Sequence, residues 1–206
     1  MLKSLLETID TGEFEDNGCL CIEEALTRQD DLLVRLRLKH PDGGTEHRTI
    51  LCHQPRSHCL QAAEYFDDLS VCDDHVLLWP HSQLQAALYF NGRPDNAHAI
   101  LGALAEMHHR SLNDWFPITK FMNNSLFSPN VELLASGSGL LAEGPFGIID
   151  AYASVLEIFN IRHSSPPRRP PSWWDGTRWQ PETEKLYALI MGSSFVVGPN
   201  FTENAA

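Results

Sequence analysis

The chain has 206 residues, 43% of them hydrophobic and 20% charged, a composition that builds a packed core and argues against intrinsic disorder. Acidic residues outnumber basic ones 27 to 15, and the resulting formal charge of -12 repels phosphate backbones and argues against general nucleic-acid binding. No uncharged apolar run approaches the roughly 20 residues of a membrane span, no secretion signal or lipidation motif is visible, and an odd count of five cysteines fits a reducing compartment; the expectation is a soluble, cytoplasmic protein with no membrane contact.

In chain order, Leu2, Leu5, Leu6 and Ile9 recur at helical spacing. Residues 31–40 alternate, with Leu32, Val34, Leu36 and Leu38 on one face and Leu33, Arg35, Arg37 and Lys39 on the other, which predicts a half-buried strand. The Pro41-Asp42-Gly43-Gly44 run supplies a turn, and residues 45–52 return as the second arm of a β-hairpin. A register slip would exchange the faces, so the four alternate apolar residues are expected inside.

Further on, Ser57 is a candidate cap for a short helix to Leu69, along which Leu60, Ala63, Phe66 and Leu69 share a side. Val76 to Trp79 predicts a buried strand ended by Pro80; Ala86 to Phe90 is too short for periodicity to separate a strand from a helix end, and is read as a further strand. After Asp95 or Asn96 as cap, Ala97, Ile100, Leu101, Leu104 and His108 form the stripe of an amphipathic helix. Then come a helix around 131–135, an extended run 139–142, and a helix opened by Gly144-Pro145 with Ile148, Ile149, Tyr152, Val155, Leu156 and Phe159 on its buried side. Pro181 is expected to open a last helix carrying Leu186, Leu189 and Ile190 and closed by Gly192, with a strand at 194–197 and a polar tail. The fold expected from these elements is α+β: a mixed or antiparallel sheet with an N-terminal β-hairpin and several amphipathic helices packed on it. Residues 1–206 are expected to form one globular unit, or two closely packed subdomains of about 1–92 and 93–206.

Residues 164–179 concentrate prolines, two adjacent arginines and Trp173, Trp174 and Trp179. Proline pairs hold the backbone extended, and guanidinium and indole groups are enriched where proteins meet. Pro167 to Pro170 also has the minimal PxxP spacing. Arg168, Arg169, Trp173, Trp174 and Trp179 are therefore the candidate binding residues. Residues 166–179 are expected to be an ordered strap, with at least two of these indoles packed against the protein and an arginine near an indole face.

Other chemistry-bearing clusters match no complete motif. Cys52, His58 and Cys59 bracket a turn and are the alternative metal ligands, with Cys19 and Cys21 two apart on an extended segment, but no CxxC knuckle is present and no metal or other cofactor is expected. Glu106 and His109 lie three apart on a helix, and Asp114 is placed to orient a histidine acting as general base; His108, His109 and Asp114 are the alternative catalytic set of a small hydrolase. His108 lies on the apolar stripe, which favours a hydrogen-bonded core role. The glycines from Gly137 to Gly144 fit neither a dinucleotide nor a P-loop pattern, and Ser136 and Ser138 lack a nucleophile-elbow context, so turns and close packing explain them better. The functional expectation is a non-catalytic protein-binding or inhibitory protein, its acidity suited to neutralising a basic partner such as a toxin.

Overall fold

A computed structural model describes residues 2–11, 14, 18–166 and 168–205, and every strand pairing in it is antiparallel. The chain divides into two compact units, Met1–Leu78 with Thr183–Ala206, and Trp79–Glu182.

The first unit grows from the expected hairpin. Strand β2 (Asp31–Lys39) turns back into β3 (Thr45–His53), pairing Leu36 with Arg48 and Leu38 with Glu46. The turn closes as the His40 amide donates to the Gly44 carbonyl at 2.8 Å, with Gly43 at a φ of 86°. Leu32, Val34, Leu36 and Leu38 are no more than 2% exposed, while Arg35 and Lys39 are exposed. An additional strand, β1 (Cys19–Arg28), pairs on the other side of β2 with a bulge between Ile22 and Glu24. With β5 (Tyr65–Phe66) and β14 (Asn200–Ala205) this makes a five-stranded sheet ordered β14-β3-β2-β1-β5. A four-stranded sheet combines β4 (Ser57–Cys59), β13 (Ser194–Gly198), β12 (Tyr187–Met191) and β6 (Leu69–Cys72) in that order. Leu20, Ile22, Val34 and Leu36 from one sheet and Leu189, Met191 and Val196 from the other share one apolar cluster with Leu5 and Ile9 of helix α1 (Lys3–Ile9).

Several expectations fail in this unit. Residues 57–69 are not a helix but a run through β4, β5 and the start of β6, because each piece finds a strand partner: β13, β1 and β12. The spacing that imitated a helical stripe buries only its last two members, Phe66 and Leu69, while Ala63 is exposed at a φ of 63°. Residues 181–190 do not form a helix either. Tyr187 to Met191 is the central strand β12, and a short continuous apolar run of this kind has no periodicity to separate strand from helix. Gly192, expected to close that helix, takes a φ of 57° in the two-residue connection between Met191 and Ser194. The presumed polar tail is β14: Glu203 accepts from the Leu5 amide at 3.1 Å and pairs with the Arg48 guanidinium, holding the tail against β3 and α1.

The second unit is built on β7 (Gln85–Asn91), flanked by β8 (Ser138–Pro145) and β9 (Arg162–Ser164). Val76–Leu78 is a 3-10 turn ending the first unit's leading segment, and Trp79–Ser82 is a helical turn, α2, rather than the end of a strand. Pro80 does not stop it, since a first helical turn has no hydrogen bond for a proline to remove. Helix α3 (Ala97–Leu112) starts where expected, the Asn96 side chain accepting from the Ala99 amide at 3.1 Å. Helices α4 (Phe127–Ser136) and α5 (Phe146–Ile158) follow. Ile148, Ile149, Tyr152, Val155 and Leu156 of α5 are no more than 2% exposed, and the helix contacts α3, β7 and β8. Phe159, expected on the same stripe, lies past the helix end and is exposed; Pro145, expected as the first helical residue, is instead the cap, one position before it.

Candidate interaction surface

The strap of residues 164–181 is described except for Pro167, so the Pro167–Pro170 spacing lies partly outside the described residues. Leaving β9, it meets β7 again at one antiparallel bridge: the Gln85 amide donates to the Arg169 carbonyl at 2.7 Å and the Arg169 amide to the Gln85 carbonyl at 2.9 Å. It then folds into a hairpin of β10 (Ser172–Trp174) and β11 (Trp179–Pro181), with Trp173 opposite Gln180 and Trp174 opposite Trp179.

Asp175 organises the tip. Its Oδ1 accepts from the Thr177 and Arg178 amides, each at 2.8 Å, and from the Thr177 hydroxyl at 2.7 Å, while Oδ2 accepts from the Gln180 side chain at 2.6 Å. These donors stabilise the ionised form, Gln180 most and the Arg178 amide next, and hold the carboxyl far below the ordinary carboxylate range. Gly176 supplies the positive φ, 96°, that reverses the chain.

This geometry corrects one expectation and redirects another. At least two indoles were expected to be packed, yet Trp174 is 52% and Trp179 67% exposed; only Trp173, on the opposite face of the hairpin, is partly buried. A hairpin tip has no layer beneath it, so the two rings cover each other instead, edge to face with centroids 5.8 Å apart. An arginine does lie on an aromatic face, but the ring is Phe146 and not an indole: the Arg168 guanidinium carbon is 3.1 Å from that centroid. Arg169 is exposed, 3.8 Å from Glu143. Between strap and strand runs a groove of about 670 Å³ walled by Pro170, Pro171, Pro181, Trp179, Gln180 and Gln85 with Arg169 and Ser172. Sequence reasoning missed Phe146, Gln85, Asp175 and Gln180. Of these only Asp175-Gly176 carried a signal, as a turn dipeptide between two aromatic runs.

Of the alternative catalytic set, the structure brings His109 and Asp114 together and gives His108 other partners. His108 is buried, its Nε2 2.7 Å from the Phe116 carbonyl and its Nδ1 2.7 Å from the Tyr152 hydroxyl. A carbonyl only accepts, so Nε2 carries the proton and, in the neutral ring, Nδ1 accepts from Tyr152. Burial raises the Tyr152 pKa well above its ordinary 10.0, which keeps that hydroxyl a donor. His109 meets Asp114 at 2.9 Å, but their side chains are 59% and 82% exposed, so the contact is a solvated one at the helix end.

The alternative metal ligands are also separated. Cys52 is buried on β3, while His58 and Cys59 are exposed on β4 of the other sheet and, being adjacent on a strand, point to opposite faces. Among the described residues no three His, Cys, Asp or Glu side chains come together to hold a metal. Cys19 and Cys21 do share a face of β1, across from Lys39 and Arg37. The glycine run serves backbone geometry: Gly137 caps α4 at a φ of 95°, and a Cβ on Gly144 would come within 2.6 Å of the Phe121 ring. The Ser136 hydroxyl is spent on the Leu133 carbonyl at 2.7 Å.

Among the described residues no helix is long and apolar enough to cross a membrane. The chain matches no protein-family model, no curated protein and no solved structure.

Proposed function

We propose that this is a non-catalytic protein-binding protein whose contact surface is the tryptophan hairpin β10–β11. The observation that supports this reading is the exposed, mutually registered pair Trp174 and Trp179 beside a proline-walled groove. Tryptophan in a binding surface contributes a large apolar area at little rotamer cost, and such residues dominate measured interface energies. Leaving two half-exposed indoles on an ordered tip is costly in water unless a partner covers them.

The charge distribution refines the partner. The strap carries Arg168, Arg169 and Arg178 against Asp175, whereas the whole chain carries -12. Long-range attraction draws in a partner of net positive charge, a basic toxin or nuclease among them, and accelerates encounter. The hairpin itself, with Asp175 balancing Arg178, carries no net charge and makes the apolar contact with the indoles. In this role the protein inhibits by covering. All five cysteines are free thiols, which supports a cytoplasmic, reducing location.

The test replaces Trp174 and Trp179 with serine, immobilises wild type and double variant, and compares the proteins each retains from source-cell extract. A partner kept by wild type and lost by the variant, at unchanged melting temperature, supports the reading. Identical retained sets contradict it.

A further inference from the structure

A second feature, independent of the hairpin, lies on the outer face of the five-stranded sheet. One row across this sheet runs Tyr65 on β5, Cys21 on β1, Arg37 on β2 and His47 on β3; the next pairs Lys39 with Thr45. Arg37, Lys39, Thr45, His47 and Tyr65 together wall a concave pocket of about 310 Å³. Its wall holds two cations, an imidazole and two hydroxyls, and no carboxylate, in a chain where acids outnumber bases 27 to 15.

The donors are partly fixed and partly unspent. The Arg37 Nη2 donates to the Tyr65 hydroxyl at 3.1 Å and lies 3.7 Å from the buried Cys21 sulfur, and its Nε is 3.6 Å from Glu23. This orients the guanidinium and leaves Nη1 available. Tyr65 accepts from Arg37, so its own O–H remains a donor. Glu23 lies outside the wall, 2.9 Å from the His47 Nδ1. Among the described residues Lys39 has no carboxylate partner. Arg37 and Lys39 stand two residues apart on one strand face, about 6.6 Å along it, so two full charges border one concavity.

We propose that this pocket is an oxyanion site that takes a phosphate dianion, free or as a small phosphate monoester. A fixed guanidinium with its Nη1 open, beside an ammonium, suits a dianion better than a single carboxylate, and charge-assisted hydrogen bonds of this kind are the strong ones. Tyr65, 61% exposed, offers a ring face to a monoester's substituent.

The test titrates the full-length protein with inorganic phosphate, phenyl phosphate and acetate at constant ionic strength, following backbone amide shifts by NMR. Expected are saturable shifts centred on residues 37, 39, 45, 47 and 65, with phenyl phosphate the tightest and acetate the weakest. Equal affinity for both phosphates also supports the site and assigns it to the free ion. Arg37→Gln and Lys39→Gln should each weaken binding about tenfold. Lys39→Gln keeps the test decisive if Arg37→Gln disturbs folding, because Lys39 is exposed and among the described residues has no carboxylate partner. Non-saturating shifts, acetate binding as tightly as phosphate, or unchanged affinity in a folded Lys39→Gln variant would overturn the proposal.

Discussion

Trp174 and Trp179 are directly opposed residues of one antiparallel hairpin, their rings meeting edge to face at 62° with centroids 5.8 Å apart. Each indole is thus the other's main cover. A double-mutant cycle with Trp174→Ala and Trp179→Ala should give a coupling of about 1 kcal/mol, the ordinary worth of such a pair. The melting temperature of either single variant should fall only slightly, since both side chains are more than half exposed. A large drop in thermal melting would mean that the indoles belong to the fold rather than to its surface.

Asp175 is what keeps that pair presented. Asp175→Ala removes the acceptor of four hydrogen bonds at the tip, and native-state cleavage by chymotrypsin between Trp174 and Trp179 should accelerate. The sign with pH follows from the depressed carboxyl: its stabilisation is fully present above the ordinary carboxylate pKa of 3.8 and is lost only as pH falls through the lower folded value. Wild-type resistance should therefore persist to pH 4. Equal cleavage of both proteins would remove Asp175 from this role.

The buried His108 and Tyr152 define a second expectation. Tyr152→Phe leaves the His108 Nδ1 buried without its donor, and urea unfolding should show a loss of about 1–3 kcal/mol. Tyr152→Phe combined with His108→Leu should recover part of that loss, because an apolar pair leaves no polar atom unsatisfied. A neutral Tyr152→Phe would contradict the hydrogen-bond assignment.

Much of this architecture is legible locally. The β2–β3 hairpin, α3 and α5 each carry an unambiguous period, β7 is too short for one to separate strand from helix, and Asn96 caps α3 as its side chain requires. What sequence alone could not show is which strand a short segment pairs with. Tyr65, Leu69 to Cys72 and Tyr187 to Met191 become strands because β1, β12 and β13 offer edges from distant parts of the chain. The same limit hid the oxyanion pocket: pairing Arg37 with His47 follows from the hairpin, but Tyr65 arrives only through β5. For the strap, composition marked the indole cluster and misjudged its burial, because packing of indoles on the protein and packing on each other read alike.

Alkaline stability should report the buried thiol. Burial, with the Asp31 carboxylate adding to it, pushes Cys52 from 9.0 up to about 12. The unfolded chain therefore releases this proton first; the stabilisation is complete below pH 9 and is lost as pH rises toward 12, with a slope of at most about 1.4 kcal/mol per pH unit. Tyr152, also raised, adds to the decline above its ordinary 10.0. Cys52→Ala should make the decline between pH 9 and 10 shallower in denaturant titrations. An unchanged slope would show that other groups govern it.

The central claim is that Trp174 and Trp179 carry recognition. Calorimetric titration of the purified partner against wild type, Trp174→Ala and Trp179→Ala tests it most directly. Each variant should lose about 2 kcal/mol or more of binding free energy, roughly 30-fold in affinity, while folding as wild type. Affinities within twofold of wild type in both variants would contradict the claim and move the contact surface elsewhere on the molecule.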